Sequence, residues 1–355
     1  MKLDEAQDIR KGEELDEGAL LTYLNQHIPG LSGEMEVRQF PGGASNLTYL
    51  LKIGERQLVM RRPPFGAKIK SAHDMGREHK VLSALSRGYN KAPRPLVYCE
   101  DESVIGASFY VMERVEGVIL RHNMGQELDK VLVGDIADSL LDSLVELHHL
   151  DYEGAGLGDL GRPSGYIKRQ VDGWSKRYIK AKTEDQPEIE FVGRWLDDHQ
   201  PTESGASLIH NDFKHDNVIL AEDDLTEVKA ILDWEMCTLG DPLMDLGTTL
   251  SYWMNPDDPD LFRKSFPNPS LLEGNPTREG LVHLYSMKSG KEVAHPVFLY
   301  AFGLWKTAVV VQQIYYRYAH GHTQDQRFAN FNFVVKGFGT MASRAIELGR
   351  LDKLM

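Results

Sequence analysis

The densest group of chemically reactive side chains lies in one polar loop, residues 210–217, between two short apolar runs. The loop contains Asp212 and Asn217, and Asp233 follows at the end of a further apolar run. If these runs form a strand pair, the three residues present oxygen atoms towards one point. Such hard oxygen donors are what magnesium binds, with water and phosphate completing its shell. Phosphoryl transfer needs little more than this clamp, a carboxylate to orient a hydroxyl, and a cation on the departing charge.

The elements that must position this loop change character along the chain. Before residue 117, short alternating runs separated by turn residues predict a small, mainly antiparallel sheet. After residue 117, apolar residues recur at three- and four-residue spacing, which predicts a mainly helical region with a few short strands. We therefore expect an α+β protein. The predicted strands are Val37–Phe40, Leu47–Ile53, Gln57–Arg61, Ser108–Val115 and Val228–Leu232. The predicted helices are Leu20–Ile28, His73–Arg87, a four-turn helix that includes Ile136 to Leu147, Gly165–Lys180 and most of Pro296–Leu351.

Three motifs in order resemble the catalytic segment of the protein-kinase-like superfamily, and most of all its aminoglycoside phosphotransferase and choline kinase branch. His210, Asp212 and Asn217 match the HxDxxxxN loop of that family with the spacing intact. Asp233 matches the acid of its DFG-like metal-binding element, and residues 240–246 match its GDPxxDL extension. A match to one short motif would be weak, but the three together are specific.

The resemblance implies a bilobal protein-kinase-like fold. Residues 1–115 are expected to form a small antiparallel β N-lobe with one helix, and residues 116–355 a larger, mainly α-helical C-lobe. Asp245 of the GDPxxDL-like segment is expected to anchor the catalytic loop through backbone amides, which would satisfy a buried acid.

The same resemblance gives roles to the residues of the polar loop. Asp212 is expected to orient the attacking hydroxyl or accept its proton. Lys214 is expected to offset charge on the γ-phosphoryl group, and His210 to order the loop through hydrogen bonds. Asn217 and Asp233 are expected to hold Mg²⁺ that bridges the phosphates of ATP.

The stretch between the first two predicted strands resembles the GGxSN form of the glycine-rich phosphate loop. Glycines permit close backbone approach, and successive amides can cradle phosphate oxygens. A simple hairpin turn is the alternative interpretation of two adjacent glycines. The residues expected to bind phosphate here are Gly42, Gly43, Ser45 and Asn46.

Other nucleotide contacts follow from the kinase template, whose third strand carries a lysine that binds phosphates and pairs with a helix glutamate. Here two arginines end that strand; Arg61 aligns best, with Glu78 as its partner, and Arg62 is the alternative. An arginine keeps its charge and can bind two oxygens at once. The last predicted strand resembles the one that leads to the hinge, which implies that the Glu113 carbonyl and the Val115 amide bind the edge of adenine. An ordinary edge strand is the other interpretation.

Composition excludes several classes of protein. Hydrophobic residues make up 41% of the chain, which is enough for a sizeable core and excludes a disordered protein. The formal charge of −13 is a poor match for nucleic acid or an anionic membrane surface. The two cysteines form no CxxC pair, and no secretory signal is visible, so we expect a cytoplasmic protein. The longest apolar stretch stops at Lys306 and predicts a buried helix.

Two rival functions remain open for the reactive loop. A metallohydrolase could use His210, Asp212, His215 and Asp216, but the two histidines have neither of the common zinc-ligand spacings. A non-catalytic nucleotide-binding scaffold would be expected to lack Asp212, Asn217 or Asp233, and all three are present.

Two classes of small hydroxylated acceptor compete. The surplus of acidic residues would suit a polycationic aminoglycoside. The basic pair before Pro63 and Pro64 instead resembles the phosphotransferase-like domains associated with acyl-CoA dehydrogenases, which implies a hydroxyacyl-CoA or a similar acceptor. We favour the second class.

Overall fold

The computed structural model describes residues 5–41, 46–65, 74–121, 128–265 and 268–354. Within it the chain forms two units, each built from three separate segments. Unit 1 consists of Met1–Leu120, Glu153–Leu157 and Asn217–Cys237, and unit 2 of Arg121–Tyr152, Gly158–Asp216 and Thr238–Met355.

Unit 1 is built around an antiparallel five-stranded sheet in the order β1-β2-β3-β5-β4. Leu51 lies opposite Leu58 and Tyr49 opposite Met60, so one face of the sheet is apolar and buried. Because successive strand residues point to opposite faces, Arg61 lies on the face opposite Met60. The strands are β1 Met35–Gln39, β2 Leu47–Ile53, β3 Arg56–Arg62, β4 Pro95–Cys99 and β5 Phe109–Glu113.

Two helices complete this part of unit 1, α1 (Glu17–His27) and α2 (Met75–Leu85). Each begins at an aspartate whose side chain accepts a hydrogen bond from the first turn, at 2.9 Å from Ala19 N and from Arg77 N respectively. Such caps satisfy amide groups that a helix start leaves without partners. Helix α1 buries Leu20 and Leu24 in the same apolar cluster as the sheet.

A short antiparallel hairpin, β7 (Val218–Leu220) with β8 (Val228–Ile231), also belongs to unit 1. Val218 pairs with Ile231, and the Leu232 amide donates to the Asn217 carbonyl at 2.7 Å. The pairing therefore extends one residue beyond the strands and brings Asn217 and Asp233 to the same end of the hairpin.

Unit 2 is mainly helical, with one strand pair formed by β6 and β9. Among the described residues, only helix α9 is long and apolar enough to cross a membrane by length and composition, and 72% of its most apolar window is buried. The elements are α3 Lys130–His148, α4 Tyr166–Ala181, α5 Pro187–Asp198, β6 Ser207–Ile209, β9 Thr238–Gly240, α6 Pro242–Tyr252, α7 Asp260–Ser265, α8 Arg278–Ser289, α9 Pro296–Ala319 and α10 Phe331–Leu348.

Candidate active site

Arg61 is the centre of a buried charge cluster in unit 1. Its Nη1 lies 2.5 Å from Glu78 Oε1, and its Nη2 lies 2.9 Å from Asp233 Oδ1 and 3.7 Å from Glu235 Oε2. The pairing of Arg61 with Glu78 expected from the sequence is therefore present. Burial lowers the pKa of Arg61, but the carboxylates of Glu78 and Asp233 raise it well above its ordinary value. The guanidinium stays charged at every pH at which the protein is folded.

The neighbouring Arg62, the alternative to Arg61, has a different environment. Its Nη1 donates to the Ile105 carbonyl and its Nε to the Pro63 carbonyl, both at 3.1 Å. Its guanidinium also lies 3.7 Å from the centre of the Phe65 ring. Arg62 thus binds backbone and an aromatic face, whereas Arg61 meets the acidic side chains.

Asn46 links the predicted phosphate loop to this cluster. Its Nδ2 donates to Glu235 Oε2 at 2.7 Å, and the residue is almost completely buried. The sequence motifs do not include Glu235, so this contact was not predicted. The other residues predicted to bind phosphate, Gly42, Gly43 and Ser45, lie outside the described residues.

The two predicted magnesium ligands follow from the geometry of the β7–β8 hairpin. Asn217 and Asp233 lie at the same end, and Asp233 has a left-handed backbone with φ of 68°. Left-handed backbone is uncommon in residues other than glycine, although Asn and Asp tolerate it best. Among the residues that the structure describes, no group of three His, Cys, Asp or Glu is arranged to hold a metal ion. Two oxygen ligands, with phosphate and water supplying the rest, fit magnesium in a nucleotide site.

The hairpin also carries apolar side chains beside these ligands. Ile219 and Leu232 belong to an apolar cluster with Val115, the residue predicted to contact adenine. Glu113, the other predicted contact, ends β5, and its carboxylate accepts a hydrogen bond from Arg94 Nε at 2.9 Å. One hairpin therefore combines oxygen donors with an apolar surface suited to an aromatic base.

Asp212 in unit 2 has hydrogen bonds to both of its carboxylate oxygens. Lys214 Nζ donates to Oδ2 at 2.8 Å, and the Tyr252 hydroxyl donates to Oδ1 at 2.6 Å. The Lys214 ammonium also lies 4.7 Å from the centre of the Tyr252 ring. His210 Nδ1 accepts a hydrogen bond from the Asp212 amide at 3.2 Å, which is the ordering contact expected of it. Three neighbours thus restrict the orientation of Asp212.

Asp245 anchors this loop as the sequence predicted. Its carboxylate accepts hydrogen bonds from the amides of His210 and Asn211, both at 2.7 Å. The pKa of Asp245 is lowered: burial raises it, but the hydrogen bond from His148 and the nearby charges outweigh burial. His148 in turn contacts the Tyr285 hydroxyl at 2.8 Å through Nδ1. A chain of buried polar contacts from three helices, α6, α3 and α8, therefore supports the loop.

Sequence reasoning missed Tyr252 and the contact of His148. Tyr252 lies on α6 two helical turns after Asp245, so the two residues share a face of that helix. This spacing was a signal that the motif search did not use. His148 ends α3 and could be assigned only a structural role from its position in the sequence.

His215 lies in a buried, aromatic environment. It is buried, its ring lies 5.0 Å from that of Trp253, and burial lowers its pKa to about 4. The imidazole is therefore neutral at pH 7 and packed against an aromatic ring. This environment gives no support to the metallohydrolase interpretation.

Comparison with known proteins shows the family of this chain. Residues 36–266, more than half of the chain, match the family model described as "Phosphotransferase enzyme family". The chain belongs to the phosphotransferase enzyme family. It is also 33% identical over 356 residues to acyl-CoA dehydrogenase family member 11 of Gallus gallus, an alignment that covers 97% of this phosphotransferase chain and 44% of that protein. The chain thus spans less than half the length of this relative.

Solved structures share the fold of this phosphotransferase. A "putative aminoglycoside phosphotransferase" of Ralstonia eutropha JMP134 is 29% identical, with a TM-score of 0.79 over 94% of this chain and 99% of that one. The GDP and kanamycin complex of APH(2″)-IIIa is 16% identical, with a TM-score of 0.63 and coverages of 90% and 97%. Spectinomycin phosphotransferase in complex with ADP and spectinomycin is 12% identical, with a TM-score of 0.58 and coverages of 94% and 99%. The predicted α+β, protein-kinase-like fold is confirmed.

Proposed function

We propose that this phosphotransferase transfers the γ-phosphoryl group of Mg-ATP to a hydroxyl of a small metabolite, with a hydroxyacyl-CoA as the preferred class of acceptor. The observation that carries the proposal is the doubly hydrogen-bonded Asp212 in the HxDxxxxN loop. In the reaction, the acceptor oxygen bonds to the γ-phosphorus while the bond from that phosphorus to the β–γ bridging oxygen breaks. ADP leaves with the electron pair of the broken bond, and Asp212 orients the acceptor hydroxyl and takes its proton.

The residues of unit 1 fit the donor nucleotide. Arg61 is a charged group that lies beside Asp233, and its buried Nε has no hydrogen-bond partner among the described residues. Asn217 and Asp233 would hold Mg²⁺, which neutralises phosphate charge when bound. Val115 and Ile219 offer an apolar surface for the base. Structures with a similar fold, solved with GDP and with ADP, support a purine nucleotide as the donor.

We infer that the exposed surface of helix α4 receives the coenzyme A part of the acceptor, because its charge favours an anionic acceptor over a polycationic one. Although the chain has a net charge of −13, the exposed part of this helix carries five cations and Asp172 is its one acid. An exposed basic surface suits the phosphates of coenzyme A, whereas it would repel an aminoglycoside. The acyl-CoA in the name of the Gallus gallus relative points to the same class. The cations are Lys168, Arg169, Lys176, Arg177 and Lys180.

The proposal is tested by measuring the release of ADP from Mg-ATP, and in parallel of GDP from Mg-GTP, in the presence of each of three compounds. These are a hydroxyacyl-CoA, the acyl-CoA of equal chain length without the hydroxyl, and kanamycin. We expect release only with the hydroxyacyl-CoA, and we expect Asp212→Ala to abolish it while Mg-ATP still raises the melting temperature. Release with kanamycin alone would support the aminoglycoside alternative. Nucleotide binding without release on any acceptor would support a scaffold.

A charge-reversal pair tests the acceptor class separately. Lys176→Glu with Arg177→Glu should raise the KM for the acyl-CoA acceptor by roughly 10-fold, because each removes an attraction to phosphate and adds a repulsion. The same hydroxyacyl group on pantetheine, which lacks the nucleotide of coenzyme A, serves as the control, and its KM should not change. An equal rise for both acceptors would contradict the assignment of α4.

A further inference from the structure

Helix α9 contains one buried cation that the proposed reaction does not yet use. Its 24 residues include two charged side chains, Lys306 and the exposed Arg317. Lys306 is 4% exposed, and its Nζ donates to the Asn211 carbonyl at 2.7 Å and to Thr248 Oγ1 at 3.3 Å. Burying an ammonium group costs several kcal/mol unless its protons find partners. A buried lysine in an apolar helix therefore calls for a reason other than packing.

Two glycines explain how Lys306 reaches the loop. A Cβ at Gly303 would clash with the carbonyl of Gly247 on α6, and a Cβ at Gly247 would clash with the Leu299 carbonyl on α9. The helices therefore approach backbone to backbone at these positions. Lys306 follows Gly303 by almost one turn of α9, so its side chain starts close to α6, whose Asp245 binds the amides of His210 and Asn211.

The carbonyl that accepts the hydrogen bond from Lys306 belongs to Asn211, a residue with a strained backbone. Asn211 has a left-handed backbone with φ of 66°, and its side-chain oxygen accepts a hydrogen bond from the Tyr166 hydroxyl at 3.1 Å. Its amide is held by Asp245 and its carbonyl by Lys306. That carbonyl belongs to the peptide that joins Asn211 to Asp212. Lys306 thus acts one peptide bond away from the proposed base.

We propose that Lys306 is a positioning residue for phosphoryl transfer, whose ammonium group fixes the Asn211–Asp212 peptide and thereby the direction of the Asp212 carboxylate. This inference rests on the function proposed above. The ammonium group does not touch the reacting atoms; it acts through the backbone. Without it, the strained peptide can rotate, and a displacement of about 1 Å of a catalytic group can cost on the order of 100-fold in rate.

The electrostatic environment of Lys306 indicates that burying its ammonium group costs stability, as expected of a residue retained for function. Burial lowers the pKa of Lys306 to about 8, while the charges of Asp212 and Asp245 act in the opposite direction and that of Lys214 adds to the effect of burial. Since the folded pKa lies below the ordinary value of 10.5, the unfolded chain binds more protons between these values. Folding therefore becomes more favourable as the pH rises from about 8 to 10.5. Below this window the buried charge opposes folding.

The test compares Lys306→Met with Gln312→Met on the same helix. Gln312 is also buried, and its Nε2 donates at 2.8 Å to the Ala181 carbonyl, which lies outside the catalytic loop. We expect Lys306→Met to lower kcat by roughly 10- to 100-fold with the nucleotide KM within about twofold of wild type. Amide hydrogen exchange at residues 210–212 should become faster. Gln312→Met should change neither kcat nor the hydrogen exchange at residues 210–212. The melting temperature of Lys306→Met should exceed that of wild type at pH 7, and the gap should shrink above pH 8.

Two further outcomes keep the inference separate from the proposed function. Lys306→Gln retains a donor for the Asn211 carbonyl, and it should keep more activity than Lys306→Met; it also replaces the methionine variant if that one does not fold. Wild-type kcat and unchanged exchange at 210–212 in the variants would overturn the positioning role. If the wild-type chain transfers phosphate to no acceptor, the proposed function fails, and hydrogen exchange alone decides whether Lys306 holds the loop.

Discussion

Arg61 gives the most demanding test of the charge cluster in unit 1. Its nearest partner, Glu78, has a side chain that is 1% exposed, so removing the guanidinium leaves a buried carboxylate without its cation. Breaking a buried pair in this way costs about 3–5 kcal/mol. At about 2–4 °C per kcal/mol for a domain of this size, Arg61→Met should lower the melting temperature by roughly 10 °C. It should also remove the rise in melting temperature that Mg-ATP produces.

Arg62→Met is the matched control because Arg62 is also buried, at the next position of the same strand, and its hydrogen bonds go to backbone carbonyls instead of the acids of the cluster. It should destabilise the protein but leave the response to Mg-ATP intact. A double-mutant cycle of Arg61→Met with Glu78→Gln, followed by urea unfolding, measures the pair directly. We expect the double variant to lose about 1–3 kcal/mol less than the sum of the single variants. A loss below about 1 kcal/mol for Arg61→Met, the value of an exposed ion pair, would refute the reasoning.

Three other predictions follow from unit 2. Tyr252→Phe removes a charge-assisted hydrogen bond to Asp212, worth about 1.5–3 kcal/mol, and should lower kcat by roughly 10-fold or more with the nucleotide KM unchanged in steady-state kinetics. The lowered pKa of Asp245 stabilises the fold above its ordinary pKa of 3.8, and this contribution is lost as the pH falls below that value. Asp245→Asn should therefore lower the free energy of unfolding at pH 7, and the difference from wild type should become smaller in acid. An equal difference at all pH values would contradict this. Arg278 forms a two-pronged buried pair with Asp258, at 2.7 and 2.6 Å. Arg278→Met should cost about 3–5 kcal/mol by chemical unfolding without changing nucleotide binding, and an altered nucleotide Kd would speak against a purely structural pair.

The sequence predicted helices and strands well where apolar side chains alternate along a strand or recur at helical spacing. Strand β2 has the predicted bounds because its residues alternate between the buried and the outer face. Strand β4 was missed, because four of its five residues are only partly buried and the run begins with a proline. Helix α5 was missed as well.

The candidate site likewise contains residues that local motifs identify and residues that they do not. Motif spacing identified Asp212 and the pairing of Arg61 with Glu78, since short motifs encode local chemistry. Tyr252 lies outside the matched motifs, and its spacing from Asp245 on α6 was the one signal for it. Lys306 could not be found from local spacing, because it lies 95 residues from Asn211 and its contact depends on how the helices pack.

Unit 1 is assembled from three stretches of chain, and the last of them, Asn217–Cys237, brings both oxygen donors of the β7–β8 hairpin. An N-terminal fragment that stops at Leu120 would keep the sheet and Arg61 but lose Asn217 and Asp233. Translation must therefore pass Cys237 before the nucleotide-binding half has all of its parts. If Arg61 binds phosphate and Asn217 and Asp233 hold magnesium as proposed, a split-gene version divided at residue 120 would separate these groups. Affinity for ATP would then return only when the two pieces reassociate.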